Sequence, residues 1–212
     1  LGANDFDLRL ILALTGDPAK LSDQPGVKGV LERDSTLLLS IIYRLNNGVD
    51  YSNKLLRPAP KPIYPFAVSN AYAKDYKTLQ KRMVKKLNYG SRAIITQPVY
   101  DVENAKRLLE IFQEAKEISI RETSKEAQLI FGQFPAVRAR TVNFIDDNVP
   151  GIKVPKKIID EMNLAAMDGK EKEEEIGFAL SKQIFKEIST LHPKLHLMTH
   201  NRFQLCMKLI EG

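Results

Sequence analysis

Five short apolar runs alternate with segments of helical periodicity along the whole chain, and this alternation limits the possible folds more than any other feature. Each run is short, continuous and closed by a turn signal, as buried strands are. Strands separated by helices form parallel sheets, because a parallel connection needs a crossover of a dozen or more residues. We therefore predict an α/β fold with a parallel sheet. The predicted strands are 8–14, 65–69, 93–97, 128–131 and 195–199.

Capping residues and glycines mark where the helices between these strands begin and end. Asp34 has an N-cap position before a helix that stops at Gly48, and Asp101 has the same position before a later helix. The charged residues 170–175 start a long helix and are most simply a solvated first turn. The helical segments lie around 37–45, 76–87, 102–112, 141–147, 176–188 and from about 202.

Two architectures fit this order of elements, namely an open doubly wound sheet and a closed (β/α)8 barrel. No G-x-G-x-x-G motif follows the first strand, which argues against the dinucleotide-binding form of the open sheet. A barrel needs eight strands and about 250 residues, whereas these 212 residues supply five predicted strands. The barrel therefore requires about three further βα units before the first residue.

Composition and charge narrow the class of protein without naming a partner. The net charge of +6 fits a phosphate-bearing small molecule, a nucleic acid or simple solubility, and no nucleic-acid motif accompanies it. No run approaches the roughly 20 apolar residues of a membrane helix. The single cysteine, Cys206, suits a reducing cytosol. His196 and His200 have no third ligand nearby, so we predict no metal site. Taken together, these features predict a cytoplasmic protein without a membrane or nucleic-acid partner.

Polar residues follow every predicted strand. Because the carboxyl ends of parallel strands share one face, these clusters predict a common pocket. Taken singly, Asp17 can be a turn residue before Pro18, and Gln97 can satisfy backbone groups of a neighbouring loop. A pocket of one aspartate, amides and an arginine suits a heteroaromatic ligand better than acyl or phosphoryl transfer. The clusters are 15–17, 69–72, 96–101, 132–135 and 199–202.

Four motifs at these strand ends, "ILALTGDP", "RAIITQPVYD", "FGQFP" and "LHLMTHNR", occur in that order. Together they resemble the methylenetetrahydrofolate reductase family, from Leu10 to the end of the chain. The resemblance implies a (β/α)8 TIM-type barrel that lacks its first three βα units in this chain. Residues 1–212 would then form one partial domain, with strands 4 to 8 of the barrel.

The resemblance also implies an activity. Family members are FAD-dependent oxidoreductases that reduce 5,10-methylenetetrahydrofolate to 5-methyltetrahydrofolate with NAD(P)H, in one-carbon and methionine metabolism. It further implies a homo-oligomer whose ligands are folate and nicotinamide. The family's general acid is a glutamate on the first barrel strand, which these 212 residues do not contain, so we expect no turnover from them alone.

Carried over residue by residue, the family's catalytic aspartate falls on Asp17, where it would tune the flavin and position the pterin. Thr15 and Gly16 fall on flavin contacts, although family members often carry arginine at the Thr15 position. Gln97 matches the glutamine that hydrogen-bonds the pterin. Arg202 matches an arginine that contacts folate.

Further cofactor contacts follow from the same comparison. Lys86 matches a lysine near the FAD phosphates, with Lys85 and Arg82 beside it, and Asn70 matches a flavin-contacting loop residue. The simpler explanation for Lys86 is a solvated lysine.

The segment after "FGQFP" departs from the family, because an aromatic residue that stacks on folate is replaced by Val137, Arg138 and Ala139. This departure and Thr15 favour an alternative function. The chain would then be a non-catalytic flavin- or folate-binding scaffold derived from the reductase barrel, acting through a partner protein.

Overall fold

A computed structural model describes residues 2–16, 34–199 and 201–211. These residues contain five strands and eight α-helices, with one 3-10 turn at Glu122–Ser124. In chain order the elements are α1 (Gly2–Asp5), β1 (Leu10–Ala13), α2 (Ser35–Asn46), β2 (Tyr64–Ser69), α3 (Tyr76–Asn88), β3 (Ala93–Pro98), α4 (Val102–Ile118), β4 (Gln128–Gln133), α5 (Ala139–Asn148), α6 (Lys156–Met167), α7 (Lys170–Leu191), β5 (Leu195–Leu197) and α8 (Phe203–Glu211).

The five strands form one parallel sheet in the order β1-β2-β3-β4-β5. At one edge Leu10 pairs with Tyr64, and at the other Phe131 pairs with Leu195. Strand neighbours in the sheet are neighbours in sequence, as in the wall of a (β/α)8 barrel. The predicted parallel α/β fold is confirmed.

The strand and helix limits differ from the predictions in a few places. The first strand is shorter than 8–14, because Leu8 and Leu14 lie outside β1, and its predicted burial is wrong, because Leu10 and Leu12 within it are exposed. Helix α6 was not predicted, and its N-cap position is Pro155, which makes no capping side-chain bond. The apolar residues of α6 nevertheless pack into the core that α5 and α7 share, where Met162 is fully buried.

Contacts between Cα atoms divide the chain into two compact units. The first comprises Leu1–Val68, Gln80–Ile94 and Ala115–Gln128. Its core contains Leu39 and Ile42 of α2 with Met83 and Leu87 of α3, all essentially inaccessible to solvent. Asn46 joins α2 to the residue before β2, since its side chain accepts from Ile63 N at 2.8 Å and donates to Ile63 O at 2.7 Å.

The second unit comprises Ser69–Leu79, Ile95–Glu114 and Leu129–Gly212. Its helices α5, α6 and α7 share one apolar core with Tyr100. The expectation that 170–175 is simply a solvated turn is wrong for Glu173, whose side chain is only 13% exposed. That carboxylate accepts from the Arg138 guanidinium at 2.7 Å and from Ala139 N at 2.8 Å, and so joins α7 to the start of α5.

The N-terminus of α2 gives a direct test of local stability. The Asp34 carboxylate accepts from Thr36 N at 2.9 Å, and hydrogen bonding to Thr36 lowers the pKa of Asp34. We expect Asp34→Ala to lower the free energy of unfolding by about 1 kcal/mol at neutral pH, because it removes the cap. Asp34→Asn, which keeps an acceptor, should cost much less.

The same bond predicts a pH dependence. A carboxylate with a lowered pKa stabilises the fold above its unfolded pKa of about 3.9 and loses that effect as pH falls through the folded value. The difference in stability between wild type and Asp34→Ala should therefore be larger at neutral pH than in acid, where the protonated carboxyl keeps an acceptor oxygen but loses its charge. An equal difference at both pH values would contradict the role of the charge.

Candidate functional sites

In the second unit, the two amide side chains predicted as ligand contacts meet at one glycine. Gly151 lies in the turn after α5 with φ +83°, a conformation that favours glycine. A Cβ on this residue would lie 2.5 Å from Asn70 Cγ and 2.6 Å from the Gln97 amide. The fold therefore brings Asn70, at the end of β2, and Gln97, on β3, to the same point.

Hydrogen bonds fix this contact. Gly151 O accepts from Ala71 N at 3.0 Å and from Tyr72 N at 2.9 Å. The Gln97 amide nitrogen donates to Pro150 O and Gly151 O, each at 3.1 Å, in the orientation that satisfies the amide. Of the two explanations for Gln97, the structure thus shows the contact with a neighbouring loop, and a contact with pterin stays a prediction.

Two tyrosines of the same unit, Tyr72 and Tyr100, have raised pKa values. Burial raises the pKa of Tyr72, with a further increase from the Asp101 charge, and burial also raises the pKa of Tyr100. The Tyr100 hydroxyl donates to Phe134 O at 2.9 Å. A phenol is already uncharged at neutral pH, and these surroundings make its ionisation still less favourable.

Arg202 lines a cavity of about 810 Å³ at the start of α8. Phe178 of α7, Phe203 and Lys208 line the same cavity. Within the described ranges, neither Arg202 nor Lys208 takes part in an ion pair. The two acidic residues of the lining are paired elsewhere, Glu174 with Arg138 and Glu175 with Lys172. Cationic and aromatic groups are thus available to a ligand here.

The segment after Pro135 has structural roles. Val137 is buried against Gly177, whose absent side chain lets α7 approach closely, since a Cβ there would lie 2.7 Å from Val137 Cα. Arg138 pairs with α7, and Ala139 begins α5. Aromatic rings near Arg202 come instead from Phe178 and Phe203.

In the first unit, the predicted flavin contacts lie next to α2. Thr15 Oγ1 accepts from Ser35 N at 3.0 Å and so adds a second cap to that helix. Gly16 has φ +80°, as expected for a glycine turn after a strand. Asp17, the predicted catalytic residue, lies outside the described residues.

Lys86 is not a solvated lysine. Its ammonium donates to Val68 O of β2, and burial lowers the pKa of Lys86 while the Asp34 carboxylate opposes that change. Arg82 and Lys85 are exposed on the same helix. Lys85 lines a cavity of about 870 Å³ between α2 and α3, together with Asp34, Tyr43, Arg44, Tyr51 and Tyr89.

Among residues 2–16, 34–199 and 201–211, no group of three His, Cys, Asp or Glu side chains is placed to hold a metal ion. In the same residues, no helix combines the length and apolarity needed to cross a membrane. Cys206 is half-buried on α8, with its Sγ 3.3 Å from Thr199 Oγ1.

The sequence prediction missed the Pro150–Gly151 turn. A Pro-Gly pair marks a turn, and that signal was present in the sequence. It does not reveal which strand end the turn folds against. Asn104 was also missed, although it is buried and donates to Ala71 O at 2.8 Å, which fixes the chain just after β2.

The parallel strands, in sequential order and connected by helices, define the class of protein as α/β and match part of a TIM-type barrel wall. Comparison with known proteins then identifies the family. The family model for methylenetetrahydrofolate reductase matches residues 2–212. The chain therefore belongs to the methylenetetrahydrofolate reductase family. No curated protein sequence matches it.

One similar solved structure is an uncharacterized protein from Clostridium thermocellum, described as binding two copies of 5-methyl-5,6,7,8-tetrahydrofolic acid. The two structures agree with a TM-score of 0.50 at 20% sequence identity. The match covers 73% of this chain and 53% of the other, so this chain spans about half the length of its structural relative. At this identity the likeness concerns the fold.

Proposed function

We propose that the protein reduces 5,10-methylenetetrahydrofolate to 5-methyltetrahydrofolate, with FAD as cofactor and NAD(P)H as electron donor. The observation that carries this proposal is the family match over residues 2–212. The folate bound by the structural relative supports the same class of substrate. The second unit has side chains that fit a folate, and the first unit has side chains that fit FAD.

The cavity at Arg202 suits the tail of a folate. That tail is an aminobenzoyl ring that carries a glutamate, so it needs an aromatic surface and cations. Phe178 and Phe203 offer rings, and Arg202 and Lys208 offer positive charge. Because Glu174 and Glu175 are already paired, they repel a carboxylate less than free acids would. Lys208 adds a second cation to the folate contact that the sequence predicted for Arg202.

The amide of Gln97 suits the pterin end, and the amide of Asn70, predicted as a flavin contact, lies close to it at Gly151. A pterin edge presents both hydrogen-bond donors and acceptors, and a primary amide offers both. The Gln97 N–H groups lie on Pro150 O and Gly151 O, so a pterin would compete with that turn for them. Asp17 remains the predicted residue that positions the pterin and tunes the flavin.

The first unit has groups that fit FAD. The cofactor carries an adenine and two phosphates, and the cavity beside α3 has Tyr43, Tyr89 and Lys85 in its lining. Lys86 uses one N–H on Val68 O, and an ammonium has three, so it retains donors for a phosphate. When bound, FAD supplies hydride transfer between nicotinamide and folate. Lys85 and Lys86, with Arg82 nearby, would hold its phosphates.

A non-catalytic folate- or flavin-binding scaffold is the second candidate, and two contacts favour it. Thr15 Oγ1 is engaged in capping α2, and the Gln97 N–H groups are engaged by the Pro150–Gly151 turn. Thr15 and Gln97, both predicted to contact a ligand, therefore have structural roles within the protein that do not depend on catalysis.

Equilibrium dialysis of the purified protein against FAD, and separately against 5-methyltetrahydrofolate, tests the proposal. We expect both to bind, with dissociation constants of about micromolar or lower. Folate binding without FAD binding would favour the scaffold. Binding of neither compound would contradict both candidates.

A further inference from the structure

The first unit has a further cavity, of about 290 Å³, which we call the Arg92 cavity. Tyr64 and Pro65, which line it, begin β2, and Arg92 directly precedes β3. The Arg92 cavity therefore lies at the amino ends of these strands. Thr15 and Gly16 follow the carboxyl end of β1, so the predicted flavin contacts there belong to the opposite face of the sheet.

Two arginines line the Arg92 cavity, and no lining residue in the described part of the chain is acidic. The Arg121 guanidinium donates to two uncharged acceptors, Asn88 O at 3.1 Å and the Tyr43 hydroxyl. Arg92 Nη1 lies 3.6 Å from Glu126 Oε2, which is longer than a hydrogen bond, and the Glu126 side chain is 82% exposed. An ion pair this loose and solvated neutralises little of the positive charge in the cavity.

Backbone hydrogen bonds hold both arginines in place. Arg92 N donates to Pro65 O at 2.8 Å, and Arg92 O accepts from Gln128 N at 3.0 Å. Arg121 precedes the 3-10 turn, and its carbonyl accepts from Ser124 N at 3.0 Å. Cations that are ordered before a ligand arrives bind it with a smaller loss of conformational entropy.

Tyrosine rings and a hydroxyl complete the lining. The Arg121 Cζ atom lies 4.3 Å from the centre of the Tyr43 ring, and the Arg92 Cζ atom lies 5.9 Å from that of Tyr64. The Tyr43 oxygen accepts from Arg121, so its own O–H remains to donate. Guanidinium groups bind phosphate oxygens through paired N–H bonds, and an aromatic ring offers a surface to an apolar substituent.

We propose that the Arg92 cavity binds a small organic phosphate, with its phosphate on Arg92 and Arg121 and a compact aromatic substituent against Tyr64. A doubly charged phosphate is favoured over a carboxylate because two positive charges line the same cavity. A volume of about 290 Å³ is near the lower limit for ligand sites, so it suits a small molecule. This site does not depend on the proposed folate function.

Calorimetric titration of the wild-type protein with phenyl phosphate, and separately with benzoate, tests the proposal without any variant. We expect phenyl phosphate to bind with a dissociation constant of about 0.1–1 mM, and benzoate to bind at least about 5-fold more weakly. No binding of phenyl phosphate up to about 10 mM would overturn the proposal. Equal affinity for the two compounds would overturn the selection of phosphate.

Two variants locate the site. We expect Arg92→Gln to weaken phenyl phosphate binding by about 10-fold. Arg107→Gln is the control, because Arg107 is exposed on α4 and its loss changes net charge equally; equal losses would mean general attraction of anions and overturn the proposal. Tyr64→Leu should weaken phenyl phosphate by about 3-fold to 10-fold and leave inorganic phosphate unchanged, whereas equal losses would exclude a contact with the ring.

An FAD titration separates this site from the proposed cofactor site. The Arg92 cavity and the cavity beside α3 share Tyr43 and Asn47 in their linings, but Arg92 lines only the first of these two. We therefore expect Arg92→Gln to bind FAD as the wild-type protein does. A 10-fold loss of FAD affinity in Arg92→Gln would make the two cavities one cofactor site and overturn the proposal. A wild-type protein that binds phenyl phosphate but not FAD would overturn only the proposed FAD-dependent function.

Discussion

Gly132→Ala is expected to destabilise the protein by about 3 kcal/mol or more, the largest stability effect among these predictions. Gly132 lies on β4, where its N–H donates to Thr96 Oγ1 at 3.0 Å and its carbonyl accepts from Val99 N at 3.0 Å. A Cβ here would collide with Thr96 O, which is backbone of β3, and would lie 2.7 Å from Met198 Cε. The methionine can move, but the β3 backbone cannot move without breaking ladder hydrogen bonds.

Thermal unfolding measures this effect, and we expect a decrease in Tm of roughly 6–12 °C for a chain of this size. Gly2→Ala is the matched control, because a Cβ at Gly2 meets no atom within 4 Å and its Tm should stay near that of wild type. An unchanged Tm in Gly132→Ala would contradict the close packing of β3 against β4.

Lys86→Met is expected to weaken FAD binding by about 10-fold to 100-fold, the largest effect on a ligand. The substitution keeps an unbranched side chain in the half-buried position and removes the ammonium. A hydrogen bond between an ammonium and a phosphate contributes about 1.5–3 kcal/mol, which corresponds to that range. Stability should fall by only about 1 kcal/mol, from the lost bond to Val68 O.

Quenching of FAD fluorescence in a titration measures the affinity. Lys81→Met is the control, because Lys81 is exposed on the same helix and changes net charge equally. Equal losses in the two variants would mean that Lys86 contributes only general charge. Unchanged affinity in Lys86→Met would remove it from the predicted cofactor site.

Much of the fold could be predicted from local pattern. Strands and helices differ in the spacing of apolar residues, and caps such as Asp34 act over three residues, so both signals are contained in short windows. Helix α6 was missed although Ile158, Met162 and Ala165 have helical spacing, and the lack of a side-chain cap does not explain it, since α5 and α7 also lack one. Two of the predicted polar residues at strand ends, Asn70 and Gln97, do lie close together at Gly151.

The details of the site depend on long-range contacts that no short window contains. Gln97 contacts the Pro150–Gly151 turn, and helices α4 and α5 lie between the two in sequence. Only the tertiary fold brings them together. Lys86 follows Met83 by three residues and so borders the buried face of α3, where a long side chain can turn inward. Helical periodicity alone does not distinguish that orientation from a solvated one.

The central claim is reduction of a folate through a bound flavin, and one spectroscopic measurement tests it most directly. The protein, purified from its complete gene and loaded with FAD, is treated with NADH without oxygen and then with 5,10-methylenetetrahydrofolate. We predict that the visible flavin absorbance is lost with NADH and returns with the folate. A protein that takes up no FAD, or whose flavin absorbance stays lost when the folate is added, would contradict the claim.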